Sequence, residues 1–125
     1  MLFRSYYDFG EEIEPVVGWL VQVNAEQKGK SYNLKCGKNT IGRSSNKEVV
    51  NVNLEGDASV SRGAQAIVIF EPKKSEFLIQ PSNGNTLVYL NNDLLMTYVK
   101  LNSYDRISLG KSELVFVPFC GKHFS

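Results

Sequence analysis

Three polar stretches of this chain carry residues able to hold an oxyanion: Gly42-Arg43-Ser44-Ser45-Asn46, Ser59-Val60-Ser61-Arg62-Gly63 and Ser82-Asn83-Gly84-Asn85-Thr86. Between them they offer two guanidinium forks, several hydroxyls, side-chain amides, and backbone N–H groups beside glycine. A phosphate monoester carries a charge of about −1.5 to −2 and three acceptor oxygens, so it calls for several donors of mixed kind. Arginine serves it better than lysine because the planar fork bonds two oxygens at once. Ser, Asn and Gly also make up ordinary surface turns. The stretches therefore acquire chemical meaning only if the fold brings them together.

Other chemistries lack their residues. The sole histidine, His123, stands near the carboxyl end, a poor foundation for a pre-organised nucleophile–base dyad. Cys36 and Cys120 form no C-x-x-C pair, and with one histidine they cannot assemble a zinc set. Both read as buried thiols packing as small hydrophobes. No glycine-rich nucleotide cradle is present. The expectation is a protein that is not an enzyme and needs no cofactor or metal.

Charge and hydropathy narrow the partners. Fourteen basic and thirteen acidic residues leave a formal charge of +1, which gives no general pull toward nucleic acid or an anionic membrane. Lys28, Lys30, Lys35, Lys38, Arg43 and Lys47 read as solvated surface. No window reaches the roughly 18 apolar residues of a spanning helix, and Met1 to Gly10 lacks the order of a secretion signal. The chain reads as cytoplasmic, and its short stand-alone pattern as bacterial.

Strands must position the three stretches, because period-2 patterns and turn signals fill the chain from Val17 to Pro118. Gly18 to Asn24 and Ser31 to Cys36 form the first pair, with Tyr32, Leu34 and Cys36 on one face. Gly37-Lys38-Asn39 reads as a turn before the short strand Thr40-Ile41-Gly42. Ser44 to Ser59 is a long loop with a short strand near Val49 to Leu54. Further strands are predicted at Gln65 to Phe70, Glu76 to Gln80, Thr86 to Leu90, Arg106 to Leu109 and Glu113 to Val117. Asn91-Asn92 suits a two-residue hairpin turn, since Asn tolerates positive φ, and Gly110-Lys111 a second. Trp19 and most Phe and Tyr residues are assigned to the core. About ten or eleven short strands at this spacing predict an all-β sandwich with recognition loops at one end. Residues 1–16 form an N-terminal extension, 17–118 the sandwich domain, and 119–125 a C-terminal tail.

The order of motifs resembles the forkhead-associated (FHA) domain. Ile41-Gly42-Arg43-Ser44 matches the family's G-R after the third strand, and Ser61-Arg62 its S-R-x-H before the fifth. Asn83-Gly84-Asn85-Thr86 is similar to N-G-T, leading into Val88-Tyr89-Leu90-Asn91. Leu101-Asn102-Ser103-Tyr104-Asp105-Arg106-Ile107-Ser108-Leu109-Gly110 is similar to L-x-x-G-D-x-I-x-L-G. The resemblance runs from about Val17 to Val117.

That resemblance implies a phosphopeptide-binding adaptor in signalling, recognising phosphothreonine in a kinase substrate or in the kinase itself. Arg43 would hold the phosphate or the backbone beside it, and Ser61 would donate its hydroxyl. Arg62 would add a second charge, Asn83 would bond the peptide main chain, and Ser44 would assist. Gly42 would supply backbone freedom between strand and loop, while Gln65, Gly84, Asn85, Thr86 and Asn91 would support the loops. Three positions depart from the family. Its histidine after S-R is missing, with Ala64 or Gln65 in that region; it serves mainly as a loop brace. Asn85 interrupts N-G-T, and Ser103-Tyr104 replaces the glycine before Asp105. The alternative reading is the same fold used as a phosphate-independent protein-interaction module.

Overall fold

The computed structural model describes residues 15–24 and 28–120. Short runs of alternating burial build eleven strands. They are β1 (Val16–Gln22), β2 (Ser31–Lys35), β3 (Gly37–Arg43), β4 (Val52–Asn53), β5 (Gly63–Glu71) and β6 (Glu76–Pro81). β7 (Val88–Leu90), β8 (Asp93–Leu94), β9 (Val99–Lys100), β10 (Arg106–Leu109) and β11 (Ser112–Pro118) follow. None of the described residues is helical, so among them no helix is long and apolar enough to cross a membrane.

The strands form two sheets, β2-β1-β11-β10-β7-β8 and β4-β3-β5-β6-β9. Every second side chain points between them: Leu20, Ile107, Leu114 and Phe116 from the first sheet meet Ile41, Val68 and Ile79 from the second, all essentially without solvent exposure. Phe77 links the two layers, with its ring centroid 4.7 Å from both Phe70 and Phe116. Burial of this apolar face is the main force holding the sandwich closed.

Several expectations need correction. Gly37-Lys38-Asn39 is no turn but the start of β3, pairing with Phe70, Ile69 and Val68. The corner lies at Cys36 and Gly37 (φ 87°), and buried Asn39 holds it. Asn39 accepts from the Lys35 N–H at 2.9 Å and donates to the Lys35, Gly37 and Val68 carbonyls. Cys36 is exposed at that corner, not buried, and Cys120 is half-buried. Trp19 faces away from the core beside buried Leu20, with its ring edge-to-face against Phe119 at 5.8 Å. Tyr89, Tyr98 and Tyr104 are also exposed.

Pairing places the three stretches. Arg43 at the end of β3 lies opposite Gly63 at the start of β5, and Pro81 at the end of β6 opposite Ala66. The β3–β4, β4–β5 and β6–β7 loops therefore leave the sandwich at one end.

Candidate functional site

A bulge creates the floor of the site. Ile41 pairs with Ala66 and Gly42 with Ala64, so Gln65 has no partner across the strand. The extra residue turns Gln65 inward along with Ala66, as bulges do, and Gln65 is 1% exposed. Its Nε2 donates to the carbonyls of Ser61, Arg62 and Gly63 at 3.1, 3.2 and 3.1 Å. Its Oε1 accepts the Thr86 N–H at 2.9 Å. One side chain thus ties the β4–β5 loop to the β6–β7 loop. Of Ala64 and Gln65, Gln65 does the bracing that the resemblance assigned to the missing histidine.

The glycines at this end are needed for space. A Cβ on Gly84 would lie 1.9 Å from Gln65 Oε1, and one on Gly42 would lie 2.0 Å from the Gly63 carbonyl. Gly42 has no positive φ, so the expected backbone freedom is replaced by a steric requirement. Thr86 closes the floor, its hydroxyl accepting the Ser61 N–H at 2.8 Å. Asn85 is exposed and leaves both Thr86 contacts intact.

On this floor stand the predicted donors. Arg43 Nε donates to the Val60 carbonyl at 2.6 Å, and a backbone bridge joins Arg43 to Arg62. Arg62 Nη1 donates to the Ser44 carbonyl at 2.6 Å and meets both Glu55 oxygens at 3.2 and 3.3 Å. Ser44 is spent on its own loop: its hydroxyl accepts the Val50 N–H at 3.0 Å and its N–H donates to Asn53 at 3.1 Å. Ser61 is half-buried and Asn83 exposed. Neither side chain makes a hydrogen bond with a described residue. Arg43, Ser61 and Arg62 are thus brought to one rim, with Asn83 on the adjoining loop.

Asn91 is elsewhere. It sits with Asn92 in the predicted β7–β8 turn, both at positive φ (51° and 72°). Leu109 pairs with Val88 and Ile107 with Leu90, which puts Asn91 and Arg106 at the opposite end of the sandwich.

Sequence reasoning missed two elements. Glu55 was one acid among many, with no pattern to pair it with Arg62. Asp57 was equally anonymous, yet it joins the β4–β5 loop to the β10–β11 turn. Its carboxylate accepts from the Ser59 N–H and hydroxyl, the Lys111 N–H at 2.8 Å and the Ser112 hydroxyl at 2.8 Å. Burial pushes the Asp57 carboxyl up, but those four bonds outweigh it and set the group below the ordinary aspartate range.

Among the described residues no group of three or more His, Cys, Asp and Glu side chains can hold a metal, and His123 lies outside them. The arrangement offers an anion two guanidinium groups and a hydroxyl.

No family model matches the chain by sequence, nor does any curated protein. Its fold has clear counterparts. An FHA domain analysed for phosphothreonine-dependent interactions is 25% identical, superposes with a TM-score of 0.66, and is matched over 81% of this chain and 95% of its own. The FhaA FHA domain complexed with the intracellular domain of Rv3910 is 25% identical, with a TM-score of 0.65, over 79% and 98% of the two chains. The FHA domain of the CT664 protein from Chlamydia trachomatis is 20% identical, with a TM-score of 0.69, over 82% and 98%.

Proposed function

We propose, from the premise that this chain folds as a forkhead-associated domain, that its loop end binds a phosphothreonine-bearing segment of another protein and catalyses nothing. The single observation that carries this reading is the convergence of Arg43, Ser61 and Arg62 on one rim above a braced floor. The phosphate would meet the Arg43 and Arg62 guanidiniums and the Ser61 hydroxyl, while Asn83 would bond the extended peptide backbone. Support comes also from the two counterparts studied with phosphothreonine-dependent or protein partners. The partner class would be a Ser/Thr kinase substrate or the kinase itself, which makes the protein an adaptor in signalling.

Each charge-assisted bond is worth about 1.5–3 kcal/mol. Arg43→Ala is therefore expected to weaken phosphopeptide binding by at least about tenfold. The test is retention of a degenerate phosphothreonine peptide library against its unphosphorylated twin, followed by titration of the selected peptides. Equal retention of the two libraries by the wild-type protein sinks the proposal.

A second reading, a phosphate-independent interaction module, has an observation of its own. Leu87, Tyr89, Leu94, Met96, Tyr98 and Val99 all expose at least 36% of their surface, a concentration of apolar surface typical of protein contacts. Partner capture that survives both phosphatase treatment and Arg43→Ala would favour it.

A further inference from the structure

The rim is not simply cationic. Glu55 lies against Arg62 at 3.2 Å, with side chains 57% and 50% exposed. Glu48 is the second acid: a Cβ on Gly63 would come within 2.8 Å of its Oε1. With Lys47, the β3–β4 loop's exposed cation, the rim holds three positive charges, counting Arg43 and Arg62, against two carboxylates.

The backbone that carries Glu55 is fixed. Its turn is anchored on one side by buried Leu54, whose N–H donates to the Gly42 carbonyl at 2.7 Å, and closed by the Asp57 N–H on the Leu54 carbonyl at 3.1 Å. Asp57 is in turn fastened to Lys111 and Ser112. Both Glu55 oxygens share the single Nη1 of Arg62, an exposed and weak arrangement that a phosphate dianion can displace. Once displaced, Glu55 loses the cation it pairs with in this structure and stands close to a like-charged ligand.

The geometry points to a ligand that resolves this exchange: a phosphothreonine with a Lys or Arg close by in the same segment, whose cation takes the Glu55 carboxylate as the phosphate takes Arg62. This inference rests on the phosphothreonine reading of the same site and names its preferred substrate class, segments marked within basic sequence. Glu55 is then a specificity-determining residue, and Glu48 its neighbour in that role.

Selection from the degenerate phosphothreonine library tests it, with wild type and Glu55→Gln compared side by side. Wild type is expected to enrich Lys or Arg at one or more flanking positions, and Glu55→Gln to lose that enrichment. For a matched pair of selected peptides, Lys against Ala at that position should bind about threefold tighter to wild type and about equally to Glu55→Gln. Glu55→Gln should also bind the Ala peptide more tightly than wild type does, since the internal competitor is gone. The side chain is exposed, and an unchanged thermal midpoint verifies that the variant is folded. Phosphopeptide retention without basic enrichment, or enrichment that persists undiminished in Glu55→Gln, overturns this inference and leaves the function standing. Failure to prefer phosphorylated peptides at all removes the function itself.

Discussion

The two ends of the sandwich are built from the same residue types and use them differently. At the β7–β8 end, the Asn91 side-chain amide donates to the Asp105 carboxylate at 3.0 Å and its carbonyl oxygen accepts the Arg106 N–H at 2.9 Å. Asp105 also takes the Asn102 N–H at 2.8 Å, and Arg106 pairs with Glu113. Those polar side chains are consumed in holding turns. At the other end much of the holding falls to Gln65, Thr86, Asn53 and Asp57, with Arg43 and Arg62 adding bonds to the Val60 and Ser44 carbonyls. The Ser61 and Asn83 side chains are thereby left without hydrogen-bond partners among the described residues. Polar composition does not separate a candidate binding loop from a plain turn; the difference is whether polar side chains are left over once the bracing is done.

The largest effect should come from removing the brace. Gln65→Leu keeps the volume but strips one acceptor and one donor shared by three carbonyls, an unsatisfied-group cost of about 3 kcal/mol. A fall in Tm of roughly 10 °C is expected, with phosphopeptide affinity lost alongside it. A variant of wild-type stability would show that the two loops do not depend on Gln65.

Next comes the contrast between the ends themselves. Ser61→Ala should weaken phosphopeptide binding by about tenfold while moving stability by less than about 0.5 kcal/mol. Asn91→Ala should do the reverse. It loses two hydrogen bonds and forces Ala into a left-handed conformation, costing about 2 kcal/mol, with affinity unchanged. Calorimetric titration and denaturant unfolding on both variants would expose any crossing of these effects.

The smallest effect is a dependence on acidity. The folded Asp57 carboxyl titrates below its ordinary range, so its contribution to stability is complete above the unfolded value near pH ~4 and drains away as pH falls below it. Asp57→Asn should start less stable and lose less than wild type between about pH 5 and pH 2. Parallel acid-unfolding profiles would contradict this.

Much of the fold was legible because alternation and turn chemistry agree along the chain, as at Asn91-Asn92. The failures have local causes. β8 and β9 are two residues each, too short for any periodicity. Lys38 and Asn39 look like turn residues, yet Asn39 is buried because its amide satisfies a crossover that no pattern announces. The site was legible as three loops, while its floor was not. Whether Ala64 or Gln65 faces inward depends on a one-residue slip in the β3–β5 register, and slips of that size reverse every face. Glu55 was illegible for another reason: its partner is chosen by a loop path of seven residues.

The Asp57 staple has a consequence for how the molecule comes into being. Residues 43 to 62 emerge from the ribosome long before Lys111 and Ser112, which pin their loop across sequence separations of 54 and 55 residues. β1, the first strand, likewise waits for β11 before both of its edges are filled. On the proposed function, a copy lacking β10 and β11 would carry both arginines without the staple that fixes the loop between them.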